Sequence, residues 1–142
     1  MEGAAPPAEL IETLGIMPRF AGKTPFDWFI EAESEAAVRA LRPDFHLLAT
    51  VETCGVIVTA RSDDPAFDFV SRFFAPALGI DEDPATGSAY CALAPFWAKR
   101  LHKEKMNAYQ ASRRGGIVRC RLEGGRVILG GQAVTVLRGE VG

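Results

Sequence analysis

The chain has 142 residues, of which 48% are hydrophobic and 24% are charged, and its formal net charge is −2. This length and composition predict a single globular domain and exclude an intrinsically disordered chain. No apolar run approaches the roughly 20 residues of a membrane-spanning helix, and the N-terminus lacks a signal-peptide pattern, so we expect a cytoplasmic protein without a membrane partner. Three cysteines without CxxC spacing and two histidines favour neither a disulfide framework nor a metal site.

The first half of the chain carries alternating helix and strand signals. Prolines before the first helix, a serine at the start of the second, and β-branched or aromatic runs between them supply these signals. They predict helices over residues 8–15 and 34–41, strands over 26–30, 56–60 and 67–74, and a loop over 75–83.

The second half begins with one helix and continues as strands. Residues 90–101 predict a buried helix, because apolar side chains stand on almost every side of it. Strands are predicted over 107–112, 117–122, 127–129 and 133–137, with a hairpin turn at the two glycines of 123–126. We therefore expect one α+β domain over residues 1–142, with an antiparallel sheet curled around a central apolar helix.

Charge is distributed unevenly along the chain. Residues 1–98 carry 6 basic and 15 acidic side chains, whereas residues 99–142 carry 10 basic and 3 acidic ones. A basic C-terminal third raises the alternative of a nucleic-acid-binding surface. In residues 117–122, however, arginines alternate with apolar residues, as on a strand with one face in water, and no aromatic residues are interleaved. We expect a solvated sheet face and no nucleic-acid partner.

Residues 79–89, GIDEDPATGSA, carry the candidate site. Three carboxylates precede a glycine-containing turn that opens the buried helix, and a helix N-terminus offers unpaired N–H groups and partial positive charge. We expect a substrate carboxylate or phosphate to bind at Gly87, Ser88 and Ala89. Asp83 would then hydrogen-bond or exchange a proton with the substrate. The local alternative is a helix capped by a serine or threonine of this segment, with no ligand.

Several motifs point to one family. Residues 79–97, GIDEDPATGSAYCALAPFW, resemble a signature of the PhzF-like (phenazine biosynthesis protein F-like) family. Residues 68–76 (DFVSRFFAP), 109–116 (YQASRRGG) and 131–134 (GQAV) are similar to further motifs of that family. The resemblance covers nearly all of the chain. It implies the diaminopimelate-epimerase-like fold, in which two similar domains each wrap a sheet around a central helix and the active site lies in the cleft between them.

The resemblance also implies an isomerase or epimerase-like enzyme that uses no cofactor and no metal and often forms homodimers. Asp83 falls on the family's active-site aspartate, and Gly87 and Ser88 fall on residues that hold the substrate. The chain resembles only the C-terminal domain, whereas the family's acid/base glutamate and active-site histidine belong to the N-terminal domain. His46 and His102 do not match that histidine, and no thiol stands where cysteine-dependent epimerases of this fold carry one.

These observations predict the substrate-anchoring half of a PhzF-like isomerase that transfers a proton at a carbon atom of a small carboxylate-bearing metabolite. Without the glutamate, the chain alone is expected to be nearly inactive, and a homo-oligomer or a complementary N-terminal half would complete the cleft. One alternative is a non-catalytic remnant or small-anion-binding module of the same fold. Another is a basic-faced adaptor for nucleic acid or protein, which salt-dependent binding to nucleic acid would favour.

Overall fold

The computed structural model describes residues 2–51, 53, 55–83, 87–112, 115–131 and 138–140. Within them the chain forms strands, α-helices and two 3-10 turns, Pro76–Leu78 and Gly87–Ala89. The helices are α1 (Ala8–Leu14), α2 (Glu35–Arg39), α3 (Phe45–Leu48) and α4 (Tyr90–Leu101). The strands are β1 (Glu2–Gly3), β2 (Phe20–Lys23), β3 (Asp27–Glu31), β4 (Gly55–Arg61), β5 (Phe69–Ala75), β6 (Ile80–Asp83), β7 (Lys105–Gln110), β8 (Gly116–Glu123), β9 (Arg126–Gly131) and β10 (Arg138–Glu140).

The described strands form one mixed sheet in the order β1-β2-β3-β4-β5-β7-β8-β9-β10, and β6 pairs with β5 outside this path. Most neighbouring strands are antiparallel, but β3 pairs with β4 and β5 pairs with β7 in parallel. The prediction of an antiparallel sheet is therefore wrong for these two pairs. Each parallel pair needs a long crossover connection, which α2 and α3 supply in the first case and α4 supplies in the second.

A hydrophobic core lies on each face of the sheet. On one face, α1, α2 and α3 contribute Leu10, Val38 and Leu48 to a cluster of buried residues. On the other face, α4 contributes Leu93 and Trp97 to a second cluster that includes residues of six strands, from β3 to β9. The mixed α+β class is confirmed, and the burial of one side of α4 in the second core accounts for the apolar residues on that side.

Strands β4 and β5 serve both cores, because successive side chains of a strand point to opposite faces. On β4, the side chains at positions 56, 58 and 60 belong to the core of α1–α3, whereas Ile57 belongs to the core of α4. On β5, Val70 and Phe74 belong to the core of α1–α3, and Phe69 and Phe73 to the core of α4.

Helix α4 is not buried on all sides, contrary to the sequence-based expectation. Its core-facing side chains are Tyr90, Leu93, Ala94 and Trp97. The remaining side is half-buried or exposed and, together with Phe20, lines an open groove of about 750 Å³: Cys91, Ala92, Pro95, Phe96, Lys99 and Arg100. The helix is not buried on this side, because Lys99 and Arg100 of its last turn lie there together with the apolar residues of the groove. That the sheet curls around α4 remains a prediction.

Most elements with strong local signals form where they were predicted. Helix α1 ends before Gly15, and β8 and β9 form a hairpin whose turn places Gly124 and Gly125 at φ values of 56° and 85°. Positive φ at both central residues is the conformation that favours glycine in such turns. Arg119 and Arg121 are exposed on β8, as expected for a solvated sheet face.

Several short elements were not predicted. Residues 75–83, expected to be a loop, contain a 3-10 turn and β6, while β2 and α3 form where no element was expected. The strand predicted over 133–137 lies outside the described residues. None of the helices in the described ranges is long and apolar enough to span a membrane.

Candidate active site

Asp83 is the last residue of β6, which pairs with the C-terminal end of β5. Asp83 is opposite Phe73, and Ile80 is opposite Ala75. Two steps along β5 therefore correspond to three along β6, so β6 contains a bulge, a feature that often redirects side chains near functional sites. Because opposite residues of an antiparallel pair share a face, Asp83 lies on the face of Phe73, which is the face that packs against α4.

A glutamine side chain fixes the backbone of this aspartate. Gln110 Nε2 donates a hydrogen bond of 2.9 Å to the backbone oxygen of Asp83. Gln110 is 1% exposed and lies on β7, where it pairs with Ser71 of β5. The end of β6 is thus connected to the centre of the sheet through a buried side chain. Gln110 belongs to the motif of residues 109–116, but no local pattern predicts this contact, because it joins elements that are distant in the sequence.

Glu82, the neighbour of Asp83, makes an ion pair on the other face. Arg72 Nε and Nη2 donate to the two carboxylate oxygens of Glu82 at 2.9 and 2.8 Å. Both side chains are mostly buried. Glu82, one of the three carboxylates of the candidate segment, thus forms a bidentate contact with an arginine of β5.

The expected anion-binding residues lie at the start of α4. Gly87, Ser88 and Ala89 form a 3-10 turn that leads into the helix, with Ser88 exposed and Ala89 buried. Ala89 is the N-cap of α4, and its methyl side chain makes no capping hydrogen bond. The alternative to an anion site was a helix capped by a serine or threonine. Ser88 precedes the N-cap and so does not occupy the capping position of α4. The other candidate for this cap, Thr86, lies outside the described residues.

Buried polar groups lie beneath the start of α4. The hydroxyl of Tyr90 is 3.5 Å from Ser71 Oγ, and both residues are buried. Burial raises the pKa of Tyr90, so its hydroxyl stays protonated at neutral pH. Two turns of helix further on, the side chain of Trp97 donates to Thr59 Oγ1 at 3.0 Å. These contacts hold α4 against β4 and β5.

A second carboxyl group, Asp27, lies at the same end of the sheet. Asp27 opens β3 and pairs with Gly55 of β4, and burial raises the pKa of its carboxyl group. Three strand spacings separate β3 from β6, roughly 14 Å in a flat sheet. Asp27 was not predicted as a site residue, since an aspartate at the start of a strand carries no distinctive signal in the sequence. Among the described residues, no group of three or more histidine, cysteine, aspartate or glutamate side chains is arranged to hold a metal ion.

Comparisons with known proteins agree with the resemblance. The sequence model of the family described as phenazine biosynthesis-like protein matches residues 7–139. An uncharacterized isomerase of Halalkalibacterium halodurans is 50% identical over 135 residues, which is 95% of this chain and 51% of that protein. An uncharacterized isomerase of Pseudomonas aeruginosa is 53% identical over 133 residues, covering 94% of this chain and 50% of that protein.

Solved structures give the same result. The crystal structure of a PhzF-family phenazine biosynthesis protein from Enterococcus faecalis superposes with a TM-score of 0.87 at 40% sequence identity. The match covers 99% of this chain and 53% of that protein. The chain therefore spans about half the length of the relatives it matches. With a family match over most of its residues and relatives at 50% identity, the chain belongs to the phenazine biosynthesis-like (PhzC–PhzF) family.

Proposed function

We propose that the chain is the substrate-anchoring part of a PhzF-like isomerase that transfers a proton at a carbon atom of a small carboxylate-bearing metabolite. The observation that carries the proposal is the position of Asp83. It ends β6 on the α4-facing side of the sheet, shortly before the 3-10 turn that opens α4. The names of the isomerase relatives support the reaction class.

In the proposed reaction, the substrate carboxylate binds to the backbone N–H groups of Gly87, Ser88 and Ala89. Helix α4 has 12 residues, so its N-terminus supplies the partial positive charge that favours an anion. Asp83 then accepts or returns a proton at the neighbouring carbon atom. Gln110 fixes the backbone of Asp83 through a hydrogen bond to its carbonyl oxygen. A fixed backbone helps to orient the carboxylate toward the substrate, as proton transfer requires.

Proton transfer at carbon needs both a base and an acid, and this chain supplies one of them at the proposed site. We propose that the second group belongs to a complementary polypeptide of similar size, or to a second copy of the chain, in an assembly of the diaminopimelate-epimerase type. One positioned proton-transfer group contributes about 10²- to 10⁴-fold to the rate. The chain alone is therefore expected to be nearly inactive.

The first experiment tests the anion site. Backbone amide shifts of Gly87, Ser88 and Ala89 are followed by NMR while inorganic phosphate or acetate is added. Asp83→Asn removes a nearby negative charge and is expected to tighten binding about fivefold. Asp81→Asn, on the same strand but exposed, is the matched control, for which a change below twofold is expected. Equal affinities in wild type and Asp83→Asn would contradict the site.

The second experiment tests catalysis. The chain is mixed with the part of the Halalkalibacterium isomerase that it does not match, and deuterium incorporation from solvent into small amino and hydroxy acids is measured. Incorporation is expected only in the mixture, and Asp83→Asn is expected to lower it at least 100-fold, whereas Asp81→Asn retains it. Anion binding without incorporation in any mixture would indicate the alternative, a non-catalytic binding module. Rapid incorporation by the chain alone would contradict the proposed division of groups.

A further inference from the structure

Arg72 connects the strand of Asp83 to a distant part of the fold. Its Nε and Nη2 atoms donate to the carboxylate of Glu82, as described above. Its third nitrogen, Nη1, donates to the backbone oxygens of Val38 at 3.0 Å and Leu41 at 2.8 Å, where α2 ends. The guanidinium group also lies over the ring of Phe74, with 4.9 Å between its carbon and the ring centroid. A single mostly buried side chain is thus held by a helix end, a ring and a carboxylate.

Strand β6 is a short strand outside the main strand order. Within the described part of the chain, it pairs with β5 at two residue pairs separated by a bulge. Such a short, irregular edge strand gains little stability from its backbone ladder. The side-chain contact of Glu82 with Arg72 and the bond from Gln110 to the backbone of Asp83 therefore add to the attachment of β6.

The two faces of β6 divide these roles. Glu82 meets Arg72 on the face of α2, because Arg72 reaches the carbonyl groups at the end of that helix. Asp83 lies opposite Phe73, on the face of α4. Rotation of β6 about its own axis would move both side chains together. A bidentate arginine–carboxylate pair resists such rotation, since it fixes both distance and plane.

We infer that Arg72 is a positioning residue for Asp83. Through its bidentate contact with Glu82, Arg72 fixes the rotation of β6 about its own axis and its position relative to the sheet. It thereby directs the Asp83 carboxylate toward the start of α4. The inference rests on the proposed function of Asp83. Arginine is required at this position because a lysine cannot make two parallel bonds to Glu82 and also bond the carbonyl groups of α2.

The test compares two variants of this contact with two variants of a second arginine–glutamate ion pair, between the last turn of α4 and β3. Arg72→Lys and Glu82→Gln weaken the contact. Arg100→Lys and Glu31→Gln weaken the ion pair between the last turn of α4 and β3, whose carboxylate is also buried. Amide hydrogen exchange in β6 is measured by NMR on the chain alone. Turnover is measured as deuterium incorporation in the mixture with the complementary part, with kcat and KM determined separately.

We expect Arg72→Lys and Glu82→Gln to speed amide exchange in β6 at least tenfold, and to lower kcat at least tenfold with KM unchanged within threefold. The two control variants are expected to leave β6 exchange and kcat within twofold, even where their melting temperatures fall equally. Unchanged exchange in β6 would overturn the inference, as would an equal loss of kcat in the controls.

Failure of the inference and failure of the proposed function are distinguishable. If Arg72→Lys does not fold, Glu82→Gln decides, because its side chain has nearly the same shape as the native one. If no mixture turns over any substrate, the proposed function fails. The exchange measurement on the chain alone then still decides whether the contact holds β6 in place.

Discussion

Replacing Thr59 by valine tests how α4 is attached to the sheet. Trp97 Nε1 donates to Thr59 Oγ1 at 3.0 Å, and Thr59 Oγ1 donates to the backbone oxygen of Val70 at 2.6 Å. Thr59 is fully buried and Trp97 is 2% exposed, so water does not take the place of the hydroxyl group. Valine has nearly the shape of threonine. The substitution therefore keeps the packing and leaves the indole N–H without an acceptor.

The expected loss follows from the groups left behind. A buried donor without an acceptor costs about 1–3 kcal/mol, and the lost bond to Val70 costs about 1 kcal/mol. Burial of the new methyl group returns about 0.8 kcal/mol. The net change in the free energy of unfolding is therefore about 2 kcal/mol. For a chain of this length, that loss lowers Tm by roughly 6–8 °C.

Urea unfolding of a small set of variants separates the hydrogen bond from the packing. Thr59→Ser keeps the hydroxyl and removes a methyl group, so it is expected to cost about 1 kcal/mol. In a Trp97→Phe background the donor is gone, and Thr59→Val is expected to cost at least 1 kcal/mol less than in wild type. The reasoning is refuted if Thr59→Val costs the same in both backgrounds, or if it is no less stable than Thr59→Ser.

Three further outcomes are expected from the structure. Burial raises the pKa of Glu35, but hydrogen bonds from a backbone N–H group and from Arg39 outweigh this effect and lower the pKa below its usual 4.5. The chain therefore loses stability as the pH falls below 4.5, because Glu35 must then take up a proton. Urea titrations of Glu35→Gln should show a smaller loss of stability over that pH range. Burial raises the pKa of Cys120 to about 12, so iodoacetamide should modify this thiol only after unfolding, as read by mass spectrometry. Gly115 has φ of 74°, and a Cβ there would collide with the hydroxyl of Tyr109; Gly115→Ala should therefore lower the unfolding free energy by about 1–3 kcal/mol in thermal melts.

Local signals in the sequence were sufficient for the elements that depend on near neighbours. Helix α1 ends before a glycine, and the two glycines of the β8–β9 turn adopt positive φ, so each is encoded within a few residues. The predicted bounds of α4 also match the structure. The side of α4 that faces solvent was missed, because apolar residues on every side of a helix do not say which of them the sheet covers.

Long-range pairing explains the remaining differences. The parallel pair of β3 and β4 depends on a crossover through two helices, which periodicity within either strand cannot reveal. Strand β6 is acidic and partly exposed, and it forms because β5 offers an edge to it. For the same reason, the motif predicts Asp83 as a site residue, whereas no local pattern predicts the contacts of Arg72 and Gln110 with its strand. The chemical role of Asp83 stays a prediction.

The use of β4 and β5 by two cores has a consequence for how the chain tolerates change. Substitutions at positions 56, 58, 60, 70 and 74 act on the packing of α1–α3, and those at the intervening positions act on α4 and the candidate site. A change in the first set is therefore accommodated by the side chains of α1–α3, and a change at Ile57, Phe69 or Phe73 by those of α4. Arg72 differs from both sets: it lies on the face of α1–α3, but its side chain contacts Glu82, the neighbour of Asp83.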